Sequence, residues 1–356
     1  MWALDERRRL YDETGETLKP SKFYTIMKER RNSEEDYHLK RVYSQVLNDV
    51  AVRLDEAYSA FFRRAKQGKE KAGFPKYPNR DKYTSFIYPI AEYRKQGYKI
   101  DREESKLTLS MIGDIKVKFH RPLPDDVRRV TISRKADKYY ACFLCDVPKE
   151  QEVLPVTGGI VGIDVGIKSF LVTSDGEFVD PPNYYRESEE KLKRLQKDVS
   201  RKKKGSNRRR KAVKQLAKLH EHVANQRKDF AYNEAKKLLA ENDVVVHEDL
   251  NIKGMVKNHH LAKSISDAGW GSFLQKLDSK AQVVKGKEVI KVDPRNTTQR
   301  CSRCFRIVKK DLSVRVHECP YCGLVLDRDI NAAINIMQKA TMLPLSMSDS
   351  AEIAAD

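Results

Sequence analysis

The sequence has no run of about 18 apolar residues and no signal-peptide pattern, which excludes a helical membrane span or a secreted chain and leads us to expect a soluble, cytoplasmic protein. It is poor in cysteine, with six in 356 residues, so a disulfide scaffold is excluded too. No internal repeat is present. Acidic residues are in deficit, 51 Asp and Glu against 70 Lys and Arg, a net charge of +19. Such an excess points to a polyanionic partner, nucleic acid first and a membrane surface second. The length suggests two or three domains, and 40% hydrophobic residues suffice for real cores.

What is present changes period along the chain. Residues 1–75 read as a helical region. From Asp36, apolar residues recur every three or four positions at Leu39, Val42/Tyr43, Val46/Leu47, Val50/Ala51, Leu54, Ala57/Tyr58 and Phe61/Phe62, which predicts one long amphipathic helix. Gly68 to Arg80 breaks it as a basic loop. Between Tyr83 and Val147 the period falls to two, with short strands at Phe86, Lys106, Asp114, Val130 and Tyr139, so residues 76–155 should form a small, mostly antiparallel barrel or sheet. Cys142 and Cys145 lie three apart on one of these strands and would face opposite ways, as ordinary strand cysteines.

Gly158 to Thr173 reads as two apolar strands around a break, and Asp175-Gly176 as a hairpin turn. Glu187 to Glu241 is helical, interrupted by a basic stretch that holds Lys202, Lys203, Lys204, Arg208, Arg209, Arg210 and Lys211. These are candidate phosphate contacts. Val244 to Val246 and the acids behind them read as a buried parallel strand with a carboxylate at its C-terminal tip. Residues 251–272 read as a loop, Phe273–Val284 as a helix and Glu288–Val292 as a strand.

Two Cys-x-x-Cys pairs follow, Cys301/Cys304 and Cys319/Cys322, with a short polar and β-branched hairpin expected between them. Four thiolates at this spacing suit a tetrahedral Zn²⁺. Directly behind the second pair stand Asp327 and Asp329, at the start of an amphipathic helix. Asp164 and Glu248 end apolar strands, so acids from three places can converge. Carboxylates that converge repel unless divalent cations neutralise them, and Mg²⁺ does so while leaving room for water and phosphate. The residues alone leave other roles open. Asp164 between Gly162 and Gly166 also fits a turn or an actin-like phosphate loop, although a second Gly-rich phosphate loop is lacking. Asp249 competes with Glu248 as ligand, and Asp327 and Asp329 both suit a helix N-terminus.

Gly162-Ile-Asp164-Val-Gly166-Ile-Lys168, the helix from His220 to Phe230, Val246-His-Glu248-Asp-Leu250, Ser264 to Trp270, Thr297 to Cys304 and Asp327-Arg-Asp329-Ile-Asn331-Ala-Ala together resemble the TnpB family of insertion-sequence proteins, relatives of type V CRISPR effector nucleases. Phe119 to Pro124 resembles that family's wedge segment. The resemblance implies a RuvC-like nuclease domain of RNase H fold with an inserted zinc ribbon, behind a helical region and a wedge-like β-barrel. By position it implies the ribbon at 296–325, splitting the nuclease domain into residues 156–295 and a final helix at 326–340, with a flexible tail at 341–356. It implies Asp164, Glu248 and Asp329 as catalytic acids that bind Mg²⁺ or Mn²⁺. Asp329 is preferred to Asp327 because the family's acid precedes the Asn of Asn-Ala-Ala by two residues. It further implies a guide RNA (ωRNA) from the transposon end, a DNA target and a prokaryotic cytoplasm or nucleoid. Relatives begin with a strand and part of a helix ahead of the segment that Trp2-Ala-Leu4 resembles. A shortened N-terminus implies an open barrel edge, and with it a second reading: a catalytically impaired nucleic-acid-binding or transposition-regulating protein. Strand transfer by the same acids is a further possibility.

Overall fold

The computed structural model describes residues 2–68, 73–76, 83–89, 97–146, 152–259, 261–311 and 313–342. Most of the expected basic loop at 68–80 and nearly all of the tail at 341–356 lie outside them. The chain divides into two compact units, residues 1–149 and 150–356.

The first unit opens with α1 (Trp2–Thr14), α2 (Pro20–Asn32), a 3₁₀ turn at Tyr37–Arg41, and α3 (Ser44–Lys66). Leu10, Leu18, Phe23, Met27 and Ala51 form the buried contact between these helices. The long helix begins at Ser44, not at Asp36. Val42 and Tyr43 are extended, and the Tyr43 ring stacks on Tyr88 at 5.4 Å, so Tyr43 of the apparent helical stripe serves a different core. That core belongs to the strands β1 (Ser85–Pro89), β2 (Tyr98–Asp101), β3 (Lys106–Leu109), β4 (Gly113–Lys116), β5 (Val127–Lys135) and β6 (Lys138–Cys145). They form two three-stranded antiparallel sheets, β1-β5-β6 and β2-β3-β4, around Tyr88, Tyr98, Leu107, Leu109 and Val130. No ladder joins the two sheets among the described residues, so the expected barrel is found as two sheets on one core. Cys142 is exposed and Cys145 packs toward that core, as the odd spacing requires.

The second unit is built on a mixed sheet. Its elements are β7 (Glu152–Val153), β8 (Ile160–Val165), β9 (Leu171–Thr173), β10 (Phe178–Val179), α4 (Tyr184–Arg201), α5 (Asn207–Glu241), β11 (Val244–Glu248), α6 (Ile252–Met255), α7 (Ala262–Ala268), α8 (Trp270–Ala281), β12 (Val284–Lys285), β13 (Glu288–Val292), β14 (Val316–Glu318), β15 (Val325–Asp327) and α9 (Arg328–Met342). The central sheet has the order β10-β9-β8-β11-β13. β8, β9 and β10 are antiparallel neighbours, whereas β8, β11 and β13 run parallel. Residues 251–272 are not a loop: Asn251 caps α6 through the Gly254 N–H, and Gly269, in the left-handed region at φ +71°, ends α7.

Strand alternation divides the sheet's two faces. Val161, Ile163 and Val245 pack with Leu238, Leu239, Phe273 and Leu277 of α5 and α8. Val246 and Val292 pack with Ile336 of α9 on the other face. Gly162 shares that second face. A Cβ there would stand 2.1 Å from the Ala333 carbonyl and 2.7 Å from the Met337 nitrogen, so α9 lies backbone-close on β8 only because residue 162 is glycine.

Candidate metal centres

That close crossing sets up the acid cluster. Asp164 follows Gly162 by two residues and so lies on the α9 face of β8. Val246 is in register with Gly162, and Glu248 follows Val246 by two, so Glu248 ends β11 on the same face. Asp329 precedes Ala333 by four residues, one helical turn, and Ala333 rests over Gly162. Three carboxylates from separate elements therefore meet at the C-terminal edge of the parallel strands.

Their electrostatics record the meeting. Burial pushes the Asp164 carboxyl well above its ordinary range, and the charges of Glu248 and then Asp329 push it further, with Arg328 opposing. Glu248 is also raised, chiefly by burial; the Thr297 hydroxyl bond and Lys339 oppose the shift, and Asp293 adds to it. Thr297 Oγ1 lies 2.5 Å from Glu248 Oε1. Arg328 Nε and Arg315 Nη1 approach Asp329 at 3.5 and 3.8 Å. The neighbouring acids are placed differently. Asp327 Oδ1 accepts from the Asp329 and Ile330 N–H groups and caps α9. Asp249 is exposed, and its backbone N–H bonds to the Val292 carbonyl. The acid cluster has the chemistry of an oxygen-donor site for a hard divalent cation: several carboxylates and few donors to satisfy them.

The sulfur cluster is more regular. The ligand atoms of Cys301, Cys304, Cys319 and Cys322 all lie within 4.8 Å of one another. Cys301 and Cys322 sulfurs are 3.6 Å apart, and those of Cys304 and Cys319 are 3.5 Å apart. A tetrahedral Zn²⁺ with bonds of about 2.3 Å needs sulfurs about 3.8 Å apart, so the donor set fits zinc. Each pair sits in its own turn. The Cys301 and Cys319 carbonyls accept from the Phe305 and Gly323 N–H groups, and their N–H groups donate to Arg306 and Leu324 carbonyls. Phe305 and Gly323 both have φ near +70°, at 65° and 70°. The expected hairpin between the pairs is thus replaced by pairing around each: an Arg300–Ile307 bridge and the β14–β15 ladder. Burial works against a charged Cys319 sulfur, but the Tyr321 and Cys322 N–H groups outweigh it and hold the thiol at about 6. Cys322 is pushed up to about 12 by burial and its sulfur neighbours, against the Leu324 N–H. Four cysteine sulfurs at this spacing suit a tetrahedral cation, whose charge would draw off the proton that Cys322 otherwise keeps.

The basic stretch forms the tip of the α4–α5 hairpin. Lys203, Lys204, Arg208, Arg210 and Lys211 are exposed there, while Lys202, paired with Asp198, and Arg209 are half-buried. Ser206 caps α5 through the Arg209 N–H at 3.2 Å. Sequence reasoning missed the roles of Thr297, Asn331, Asn335 and Arg315, whose partners lie 14 to 49 residues away. Only the density of Thr and Asn around the cysteines hinted at them.

Residues 142–259 match a family model described as a probable transposase, and residues 270–336 match one described as a Cas12f1-like TNB domain. A putative RNA-guided DNA endonuclease of Streptomyces pristinaespiralis is 33% identical over 342 residues, covering 94% of this chain and 79% of that one. A protein of Escherichia coli K12 with the same description is 29% identical, covering 94% of this chain and 84% of its own. A Cas12f1 chain solved with a single guide RNA and target DNA shares the fold at a TM-score of 0.54 and 15% identity, over 94% of this chain and 78% of that one. With a glycine-seated acid cluster, a four-cysteine cluster in front of its last helix and a 33% identical relative along nearly its whole length, the chain belongs to the TnpB family.

Proposed function

We propose that this chain is an RNA-guided, divalent-metal-dependent DNA endonuclease of a transposable element, with Asp164, Glu248 and Asp329 as a RuvC-like catalytic site. The observation that carries this reading is the convergence of acids from two strand ends and a helix start, where burial and the charges of Glu248 and Asp329 together raise the cost of charging Asp164. The sheet order and directions support an RNase H-like domain, and the cysteine cluster supports a zinc ribbon inserted before its last helix.

Mg²⁺ or Mn²⁺ bound by these carboxylates would supply a more acidic water and charge stabilisation at a phosphodiester. The chain's own residues do the rest. Gly162 lets α9 approach, Asp327 fixes that helix's first turn, and Thr297 holds Glu248. Arg315, half-exposed beside Asp329, offers a guanidinium where a phosphate would approach. The exposed cations of the α4–α5 tip suit the backbone of a nucleic acid held by shape. Replacing Lys203, Lys204, Arg208 and Arg210 by Ala should weaken RNA or DNA binding without changing Tm, and should flatten the dependence of affinity on salt by up to about four counterions.

Sequencing the RNA that copurifies with the chain, expressed with its native flanking DNA, tests the guide. One dominant RNA with a fixed 5′ scaffold and variable 3′ end is expected. A random smear of host RNA would favour the reading as an impaired nucleic-acid-binding protein.

A further inference from the structure

Thr297 is 2% exposed and is held from two sides. Its hydroxyl has one proton and two acceptors in reach, Glu248 Oε1 at 2.5 Å and the Pro294 carbonyl at 3.0 Å. The shorter, charge-assisted bond takes the proton. Its carbonyl accepts from Asn335 Nδ2 at 2.9 Å, and the same amide donates to the Arg300 carbonyl at 2.7 Å. Asn331 Nδ2 reaches that carbonyl as well, at 2.8 Å. Asn331 Oδ1 accepts from the Ser302 N–H at 3.0 Å, and Gln338 Nε2 donates to the Ser302 carbonyl at 3.0 Å.

These bonds make one connected network. Residues 331, 335 and 338 share a face of α9, and their amide nitrogens donate to the backbone on either side of Cys301. Asn331 and Asn335 are at most 1% exposed, so nothing in bulk water replaces a bond lost there. The backbone they grip is the first cysteine knuckle, whose shape depends on what its sulfurs bind. Glu248, at a strand end, has three side-chain torsions, and burial gives its charged form a reason to swing toward water. The Thr297 hydroxyl opposes that swing.

We propose that Thr297 is a positioning residue that passes the shape of the zinc-loaded knuckle to Glu248, so that zinc occupancy sets how tightly the acid cluster holds its divalent cation. The inference rests on the acid-site reading above and deepens it.

The test uses Mn²⁺ as probe, titrated into the zinc-loaded full chain and followed by electron paramagnetic resonance of the free ion. Thr297→Val keeps the side chain's size and removes the hydroxyl; it should weaken Mn²⁺ binding about 10-fold, as loss of an outer-shell partner does. Thr297→Ser should stay within about twofold of the wild type, because the donor is kept. Removing zinc should weaken Mn²⁺ binding in the wild type about as much as Thr297→Val does, and add little in that variant, since effects along one route are not additive. Circular dichroism melts show whether each form is folded at the working temperature. If the zinc-free chain is unfolded, Asn335→Leu in the zinc-loaded chain takes its place. It should reproduce the loss and not multiply with Thr297→Val. Wild-type affinity in Thr297→Val, or losses that simply multiply, would overturn the inference. Mn²⁺ binding that is absent from the wild type, or unchanged in Asp164→Asn/Asp329→Asn, would instead sink the acid-site reading itself.

Discussion

The two ends of β11 carry acids in opposite circumstances. At the start, Asp243 accepts from the Thr157 and Gly158 N–H groups at 3.1 and 2.6 Å and from Lys287 Nζ at 2.8 Å. Lys287 Nζ in turn spends its remaining bonds on the Pro155 and Asn242 carbonyls at 2.9 and 3.2 Å. The Lys287 ammonium and these N–H groups hold the Asp243 carboxyl far below its usual range. Five residues on, Glu248 stands by Asp164, and burial, with the charges of Glu248 and Asp329, pushes Asp164 the other way. An acid the fold relies on is given donors. Acids left to face each other weaken the fold until a cation joins them, and such frustrated groups are where function is to be sought.

Thermal melts separate the two ends most strongly. Asp243→Asn should lower Tm by several degrees, because Lys287 is buried and loses its counter-charge. In the cation-free chain, Asp164→Asn should leave Tm unchanged or raise it. Mg²⁺ or Mn²⁺ should stabilise the wild type and Asp243→Asn, but not Asp164→Asn.

Zinc removal sharpens the contrast within the same unit. Elemental analysis should find about one Zn²⁺ per chain, and Cys322→Ser should lose it. Amide exchange should then quicken around α9 and Thr297, while protection at residues 157–159, beside Asp243, is kept.

The pH dependence has opposite signs at the two ends. Asp243, depressed, contributes stability that is whole above its unfolded value of 3.8 and is lost as pH falls toward its folded value. Asp164, raised, contributes stability that is whole below 3.8 and is lost as pH rises through its folded value. The stability deficit of Asp243→Asn should therefore narrow below pH 3.8, whereas Asp164→Asn should gain on the cation-free wild type as pH climbs above it. Both follow from urea unfolding across the range.

The smallest effect separates two acids that are neighbours in sequence. Asp327→Ala removes a helix cap and should cost about 1 kcal/mol of stability. Asp327→Asn should cost a few tenths at most, since Asn caps as well. Cleavage by either should fall far less than with Asp329→Asn.

Much of this was legible in the sequence because it is local. A β-branched run that ends in acids gives β11 and its tip, alternation gives the strands between 83 and 147, and the cysteine spacing gives the sulfur cluster. What was not legible depends on distant partners. Val42 and Tyr43 keep helical spacing but are extended, and Tyr43 serves the core around Tyr88. Tyr98–Asp101 was passed over, although β3 and β4, which are just as short, were read from their alternation. α6 and α7 are four and seven residues long, below the length at which a period can be read. Asp243 was passed over because its lysine partner is 44 residues away. Neighbouring Asp327 and Asp329 look alike until the backbone shows one of them capping α9.

The most direct test is cleavage of DNA complementary to the copurified guide, in Mg²⁺ and in EDTA, by the wild type, Asp164→Asn and Asp243→Asn, all below their melting temperatures. The account predicts Mg²⁺-dependent cuts by the wild type and by Asp243→Asn. It predicts a loss of at least about a thousandfold with Asp164→Asn, as expected when one member of a unit that acts together is removed, and RNA binding retained. Cleavage by Asp164→Asn at the wild-type rate would contradict it.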